Sequence, residues 1–264
     1  QSLDNAALRF LGRLHNADEG LRALDVAQQN FGRVSFDLIY ALPRQTPEQW
    51  EAQLNRALGF GTSHLSLYQL TIEPGTKFAT MVRQHDFTPL DDDAAADLYE
   101  LTSRMTGAAG LPAYEISNYA RPGEESRHNL TYWRYQDYCG IGPGAHGRRG
   151  GMATVRHKKP ENWLAAVADR GSGLSEERTL SASEQACEAL LMGLRLREGI
   201  DLAALEQRFG MAGTAALIDA DKAAFYTRQG LVWQQGSRIG VTAQGVPLLD
   251  GLLGELVRPE LVTG

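Results

Sequence analysis

The stretch SRHNLTYWRYQDYCGIGPGAHG, residues 126–147, brings His128, His146, Tyr132, Trp133, Tyr135 and Cys139 together with several glycines and shows no regular hydrophobic period. Neutral imidazole is the commonest metal-binding side chain, so His128 and His146 could be ligands to iron. The flat faces of Tyr132, Trp133 and Tyr135 suit a planar ligand, and they suit equally a lid over the core. GIGPGAHG has the glycine content of a phosphate cradle but matches neither the Walker pattern nor the dinucleotide fingerprint. Its glycines instead imply a tight backbone path with φ positive at one or two positions. Asp37 lies inside the largely apolar run SFDLIYALP. A charge there costs several kcal/mol unless it is bonded, so the carboxylate either meets backbone amides or an arginine, or binds a ligand. The PGT turn at residues 74–76 follows the next strand and could shape the same rim, although turn chemistry alone explains it. These residues alone describe an aromatic, histidine-bearing loop next to a strand-end rim.

The elements that must hold these residues alternate. Asn16 with Glu19 forms a capping box for a helix carrying Leu21, Leu24 and Gln28 and stopped by Gly32. A strand, RVSFDLIYAL, follows. Thr46 and Pro47 then open a helix with Trp50, Leu54 and Leu58 on one face. HLSLYQLT reads as a second strand. Asp91, Asp92 and Asp93 open a helix with Leu98, Leu101 and Met105 along one side, and PAYEISNY reads as a third strand. Such alternation predicts βα units and a parallel sheet. Gly and Ser break the pattern in RGSGLSEERTL, residues 170–180, which predicts a division into residues 1–170 and 176–264. The second part opens on a Ser181–Glu184 capping box and continues with helices over DLAALEQRFG and AALIDADKAAFYTRQG. A hairpin around Gly236 and a last helix, AQGVPLLDGLLGEL, complete a winged-helix-like module.

Composition sets the outer bounds. The chain has 264 residues, 43% of them hydrophobic, and a formal charge of −6. Its length and apolar content allow a sizeable core, and its acidic balance argues against a protein that coats nucleic acid. The helix DLAALEQRFG repeats that argument locally, since Arg208 is its one cation against Asp201 and Glu206. Two cysteines, Cys139 and Cys187, make neither a disulfide framework nor a metal-site spacing, which points to a reducing cytoplasm. No apolar run of membrane-spanning length and no signal peptide are seen, so a soluble protein is expected. The opening QSLDNAALRFLG drops almost at once into a helical pattern and reads as a fragment of a longer chain.

FDLIYALPRQTPEQW, HLSLYQLTIEPGT, EISNYARPGEESRHNLTYW and GIGPGAHG resemble the HemW-type proteins, radical S-adenosylmethionine (SAM) heme chaperones related to oxygen-independent coproporphyrinogen III oxidase. The likeness runs over essentially the whole chain, and HNLTYW matches the HNxxYW signature that separates the chaperones from the oxidases. The resemblance implies the second half of a partial (β/α) radical SAM barrel, followed by a small helical, winged-helix-like C-terminal domain. It implies a heme-binding loop at His128, Asn129, Tyr132, Trp133 and His146, and a SAM pocket lined by Gln1, Arg13 and Asp37. Read without the family, Arg13 is a solvated helix arginine. The family's [4Fe–4S] cluster rests on a CxxxCxxC loop that is absent here, so its ligands are expected upstream of residue 1, and this stretch alone should do no radical chemistry. Heme would pass to acceptor hemoproteins, respiratory ones among them. The rival implication is oxidative decarboxylation of coproporphyrinogen III.

Overall fold

The computed structural model describes residues 1–258. The chain divides into two compact units, residues 1–126 and 127–264. The first opens with α1 (Asn5–Phe10) and α2 (Ala17–Asn30), the latter closed at its start by the Asn16–Glu19 capping box that the sequence announces. The helix ends at Asn30 with Phe31 as cap, one residue before the expected Gly32. β1 (Ser35–Tyr40), α3 (Pro47–Leu58), β2 (His64–Gln69), α4 (Lys77–Arg83), α5 (Asp92–Ala108) and β3 (Asn118–Ala120) follow.

Thr46 caps α3, with Gln49 returning the bond and Pro47 in the first turn. Trp50, Leu54 and Ala57 then fall on one face and are fully buried. The Trp50 ring stacks on Tyr40 with centroids 4.7 Å apart, and its Nε1 donates to Thr102 Oγ1 of α5 at 2.8 Å. Burying a ring of that size is worth about 4–6 kcal/mol, and the hydrogen bond removes the penalty of an orphaned indole N–H.

The sheet order is β1-β2-β3, with β1 and β2 parallel and β3 antiparallel to β2. The expected third parallel strand is therefore corrected. PAYEISNY is not one strand but a reversal, in which Tyr114 N–H donates to Asn118 O at 3.1 Å and Ala113 bridges Tyr119. The buried Glu115 carboxylate holds the turn by accepting from Ser117 N–H at 3.1 Å and from the Asn118 amide. Strand alternation also explains Asp37. Leu38, Tyr40, Leu65, Leu67 and Tyr119 enter the core with α3 and α5, so Ser35, Asp37, His64, Ser66 and Asn118 fall on the opposite face. Asp37, Ser66 and Asn118 stand in register across all three strands.

In the second unit, α6 (Arg127–Trp133) precedes β4 (His146–Arg149) and β5 (Met152–Arg156), a hairpin joined by Gly150 and Gly151, both at positive φ. α7 (Pro160–Arg170) ends at Gly171 in the left-handed conformation, and β6 (Leu174–Thr179) returns beside β5. The Gly and Ser of residues 171–173 are thus a helix cap and a turn into a strand. α8 (Ala182–Gly193) starts on the Ser181–Glu184 capping box. β7 (Ile200–Asp201), α9 (Leu202–Phe209), α10 (Ala220–Arg228), β8 (Val232–Gln235), β9 (Arg238–Val241) and α11 (Leu249–Leu256) complete the described chain. Gly236 turns the β8–β9 hairpin, and β7 joins it in the order β7-β9-β8. Both late helices start later than the sequence suggests. Each is preceded by a short 3-10 turn, Thr214–Ala216 and Val246–Leu248, and Asp219 caps α10. The end of the expected 176–264 module lies outside the described residues.

Candidate functional site

The loop expected around His128 is instead a two-turn helix. At about 100° per residue, positions 128, 132, 129 and 133 fall within an arc of about 140°. HNxxYW is therefore a one-sided helical pattern, and its i, i+4 spacing was the available signal. His128 is exposed, while Asn129, Tyr132 and Trp133 are half-buried. The His128 and Tyr132 rings meet edge-on at 4.8 Å, and His128 Nε2 shares a 3.0 Å hydrogen bond with Tyr132 Oη.

The helix is fixed at its C-terminal end by a strained residue. Tyr135 N–H donates to Tyr132 O at 2.9 Å and Gln136 N–H to Thr131 O at 2.8 Å, a Schellman closure with Tyr135 at φ 52 where glycine is usual. Holding a tyrosine there costs roughly 1–2 kcal/mol. Its side chain offsets this by being buried, with Oη donating to Glu188 Oε2 of α8 at 2.6 Å and the Arg148 guanidinium 3.4 Å above its ring. Burial, followed by the bond to Glu188, raises the Tyr135 hydroxyl pKa far above its usual value. Arg208 Nη2 donates to the Tyr135 carbonyl at 2.7 Å, and Arg134 pairs with Glu198 through two bonds of 2.8 and 2.9 Å.

Tyr138 links this anchor to the exposed end. Its ring meets Tyr132 edge-on at 4.5 Å and lies 5.4 Å from the Arg148 guanidinium, and its backbone pairs with Arg148 in both directions. Arg148 is buried and reaches Glu188 at 3.5 Å. The result is a continuous series, His128–Tyr132–Tyr138–Arg148–Tyr135–Glu188, running from the exposed His128 through the buried Arg148 and Tyr135 to the half-buried Glu188. Tyr138, Arg148 and Glu188 escaped sequence reasoning because their partners lie 6 to 53 residues away. Gly150-Gly151 between HGRR and MATVR was the signal for the hairpin that carries Arg148.

His146, expected in the loop, begins β4 opposite Val155 and is exposed. The glycines between follow the tight path expected of them. Gly142 and Gly144 have φ of 92 and 71, and a Cβ on Gly140 would collide with the His146 carbonyl.

The other three residues meet in the first unit. Gln1 and Asp37 line one cavity of about 280 Å³ beside His15 and Asn16, and Arg13 Nε donates to Gln1 Oε1 at 2.5 Å. The carboxylate and amide suit hydroxyl and ammonium donors, and the guanidinium suits a carboxylate. A wider cleft of about 800 Å³ in the same unit, lined by Phe10, Arg44, Arg56 and Phe87 among others, includes none of the trio. The two cysteines cannot supply the three thiolates of a [4Fe–4S] cluster, and they differ in setting: Cys139 is exposed and Cys187 buried. Among the described residues no helix is long and apolar enough to cross a membrane.

Residues 180–248 match the HemN C-terminal domain family. Over 263 residues the chain is 31% identical to the heme chaperone HemW of Bacillus subtilis, covering 97% of this chain and 68% of that protein. It is 44% identical over 209 residues to the mitochondrial radical S-adenosyl methionine domain-containing protein 1 of Mus musculus, covering 76% of this chain and 47% of that one. The corresponding Bos taurus protein is 38% identical over 97% of this chain and 60% of its own length. The chain thus spans about half to two thirds of the curated relatives it matches. In fold it is similar to the coproporphyrinogen III oxidase HemN of Escherichia coli, a radical SAM enzyme, with a TM-score of 0.76 at 21% identity, over 96% of this chain and 62% of that one. The mixed α/β architecture is that of the HemN radical SAM fold, and the chain belongs to the HemW family.

Proposed function

We propose that this chain is the heme-handling part of a carrier that binds heme and passes it to acceptor hemoproteins, respiratory ones included. The observation that carries the reading is the one-sided set His128, Asn129, Tyr132 and Trp133 on a helix anchored by Tyr135. An exposed imidazole can give an axial nitrogen, and the neighbouring rings can wall a macrocycle. His146 is the second candidate ligand.

In this reading Gln1, Arg13 and Asp37 are the chain's contribution to a SAM pocket, and the [4Fe–4S] ligands come from other parts of the protein. Residues 1–170 act as the barrel part with the heme segment, and 176–264 as the C-terminal module, which the family match beginning at residue 180 supports. Two free thiols suit a reducing compartment such as the cytoplasm.

The test is a pair of assays on the full-length protein. Hemin should bind with a shifted Soret band and move to an apo-hemoprotein, and coproporphyrinogen III with SAM and reductant should give no protoporphyrinogen. Turnover without hemin binding would replace the carrier by the decarboxylating oxidase.

A further inference from the structure

Resting on the heme reading above, we infer that Tyr132 is a latch on His128: its hydroxyl occupies the nitrogen that iron would take, and heme must displace it to bind. Three observations carry this. Tyr132 Oη lies 3.0 Å from His128 Nε2. The partners stand one helical turn apart, so the bond needs no tertiary rearrangement to form. Tyr132 is also held from behind, since its ring meets Tyr138 edge-on, and Tyr138 is paired by its backbone to Arg148, which is buried against Tyr135 and Glu188.

The direction of the bond follows from chemistry. A phenol is a good donor and a poor acceptor, whereas an unprotonated imidazole nitrogen is a strong acceptor. Tyr132 therefore donates to Nε2, and the ring proton of the neutral imidazole sits on Nδ1. The lone pair that would reach iron is the one that accepts the phenol. On binding, that lone pair passes to the iron and the Tyr132 hydroxyl turns to water, with no proton or electron left over. The exchange lowers affinity by the net worth of one exposed hydrogen bond over its replacement by water, about twofold. A carrier gains from this, because the same hydroxyl re-forms its bond as heme leaves.

Tyr132→Phe in the full-length protein removes the hydroxyl and keeps the ring against Tyr138. Without heme, the ¹⁵N shift of His128 Nε2 should move toward that of a free acceptor nitrogen. In a hemin titration the variant should bind about twofold more tightly and release hemin to apomyoglobin more slowly, and His128→Ala/Tyr132→Phe should lose the gain. An unmoved Nε2 shift, or hemin binding that is unchanged or weaker in Tyr132→Phe while His128→Ala still weakens it, overturns the latch and leaves the heme reading standing. Unchanged binding in His128→Ala overturns both.

Discussion

Two histidines of this chain carry the same contact in opposite settings. His64 Nε2 lies 2.9 Å from Tyr114 Oη, and His128 Nε2 lies 3.0 Å from Tyr132 Oη. His64 is buried at the start of β2 with its other nitrogen 2.6 Å from Ser35 Oγ, so both nitrogens are engaged. His128 is exposed on α6, with one nitrogen bonded and water at hand. The first pair joins segments 50 residues apart, the second a single helical turn. A hydrogen bond of given length is thus structural where its loss strands a buried group, and exchangeable where water or a ligand can replace it. Burial and sequence separation, not residue type, divide the two.

The largest expected effect separates the pairs by stability. His64→Ala removes the two side-chain bonds that His64 makes with Ser35 and Tyr114 and opens a cavity beneath the sheet face, at a cost of about 2–4 kcal/mol. His128→Ala should change stability by no more than about 0.5 kcal/mol. Denaturant titration of the two variants checks this, and equal losses would dissolve the distinction.

Ligand binding should reverse the order. His128→Ala should weaken hemin binding to the full-length protein at least tenfold, about 1.4 kcal/mol, and reshape the Soret band. His64→Ala and the surface control His85→Ala should bind hemin as the parent does. A large loss in His85→Ala together with His128→Ala would mean that the titration reads nonspecific association.

How much of this was legible in the sequence depends on range. The capping boxes at Asn16, Thr46 and Ser181 were readable because cap and partner lie within four residues. So were the Trp50 face of α3 and the hairpin at Gly236. The reversal at Glu115 was not, because a carboxylate bonding two residues ahead leaves a β-rich string looking like an unbroken strand. α6 was hidden by its own composition: six of its seven residues are polar or aromatic, so no apolar stripe marks it. The motif that named the family was legible, but its anchor was not, since Tyr135 finds Glu188 only through the folded chain.

The pH dependence of stability is a smaller effect with a definite sign. Burial lowers the pKa of His64, partly opposed by Asp37, so the fold favours its neutral form. That contribution is fully present above the unfolded value near 6.5 and is lost as pH falls through the folded value. Glu115 acts in the opposite sense: burial raises its pKa, so its contribution is present at low pH and lost as pH rises. Thermal unfolding of the parent and of His64→Gln between pH 5 and 7 isolates the histidine. The parent should lose more stability on acidification, and parallel curves would show that His64 does not titrate differently on folding.

The smallest effect is the most direct comparison, because it deletes the same oxygen from both pairs. Tyr114→Phe leaves His64 Nε2 facing a hydrocarbon edge inside the first unit, where water cannot readily follow, and should cost about 1–2 kcal/mol. Tyr132→Phe leaves His128 Nε2 at the surface, where water takes the place of the phenol, and the edge-on ring contact with Tyr138 survives. Its cost should be near zero and at most about 0.5 kcal/mol. A loss from Tyr132→Phe equal to that from Tyr114→Phe would show that the α6 pair is cemented to the network of Tyr138 and Arg148 rather than exchangeable. A near-zero loss from Tyr114→Phe would instead show that the sheet relaxes around His64, and that burial alone does not make such a pair structural.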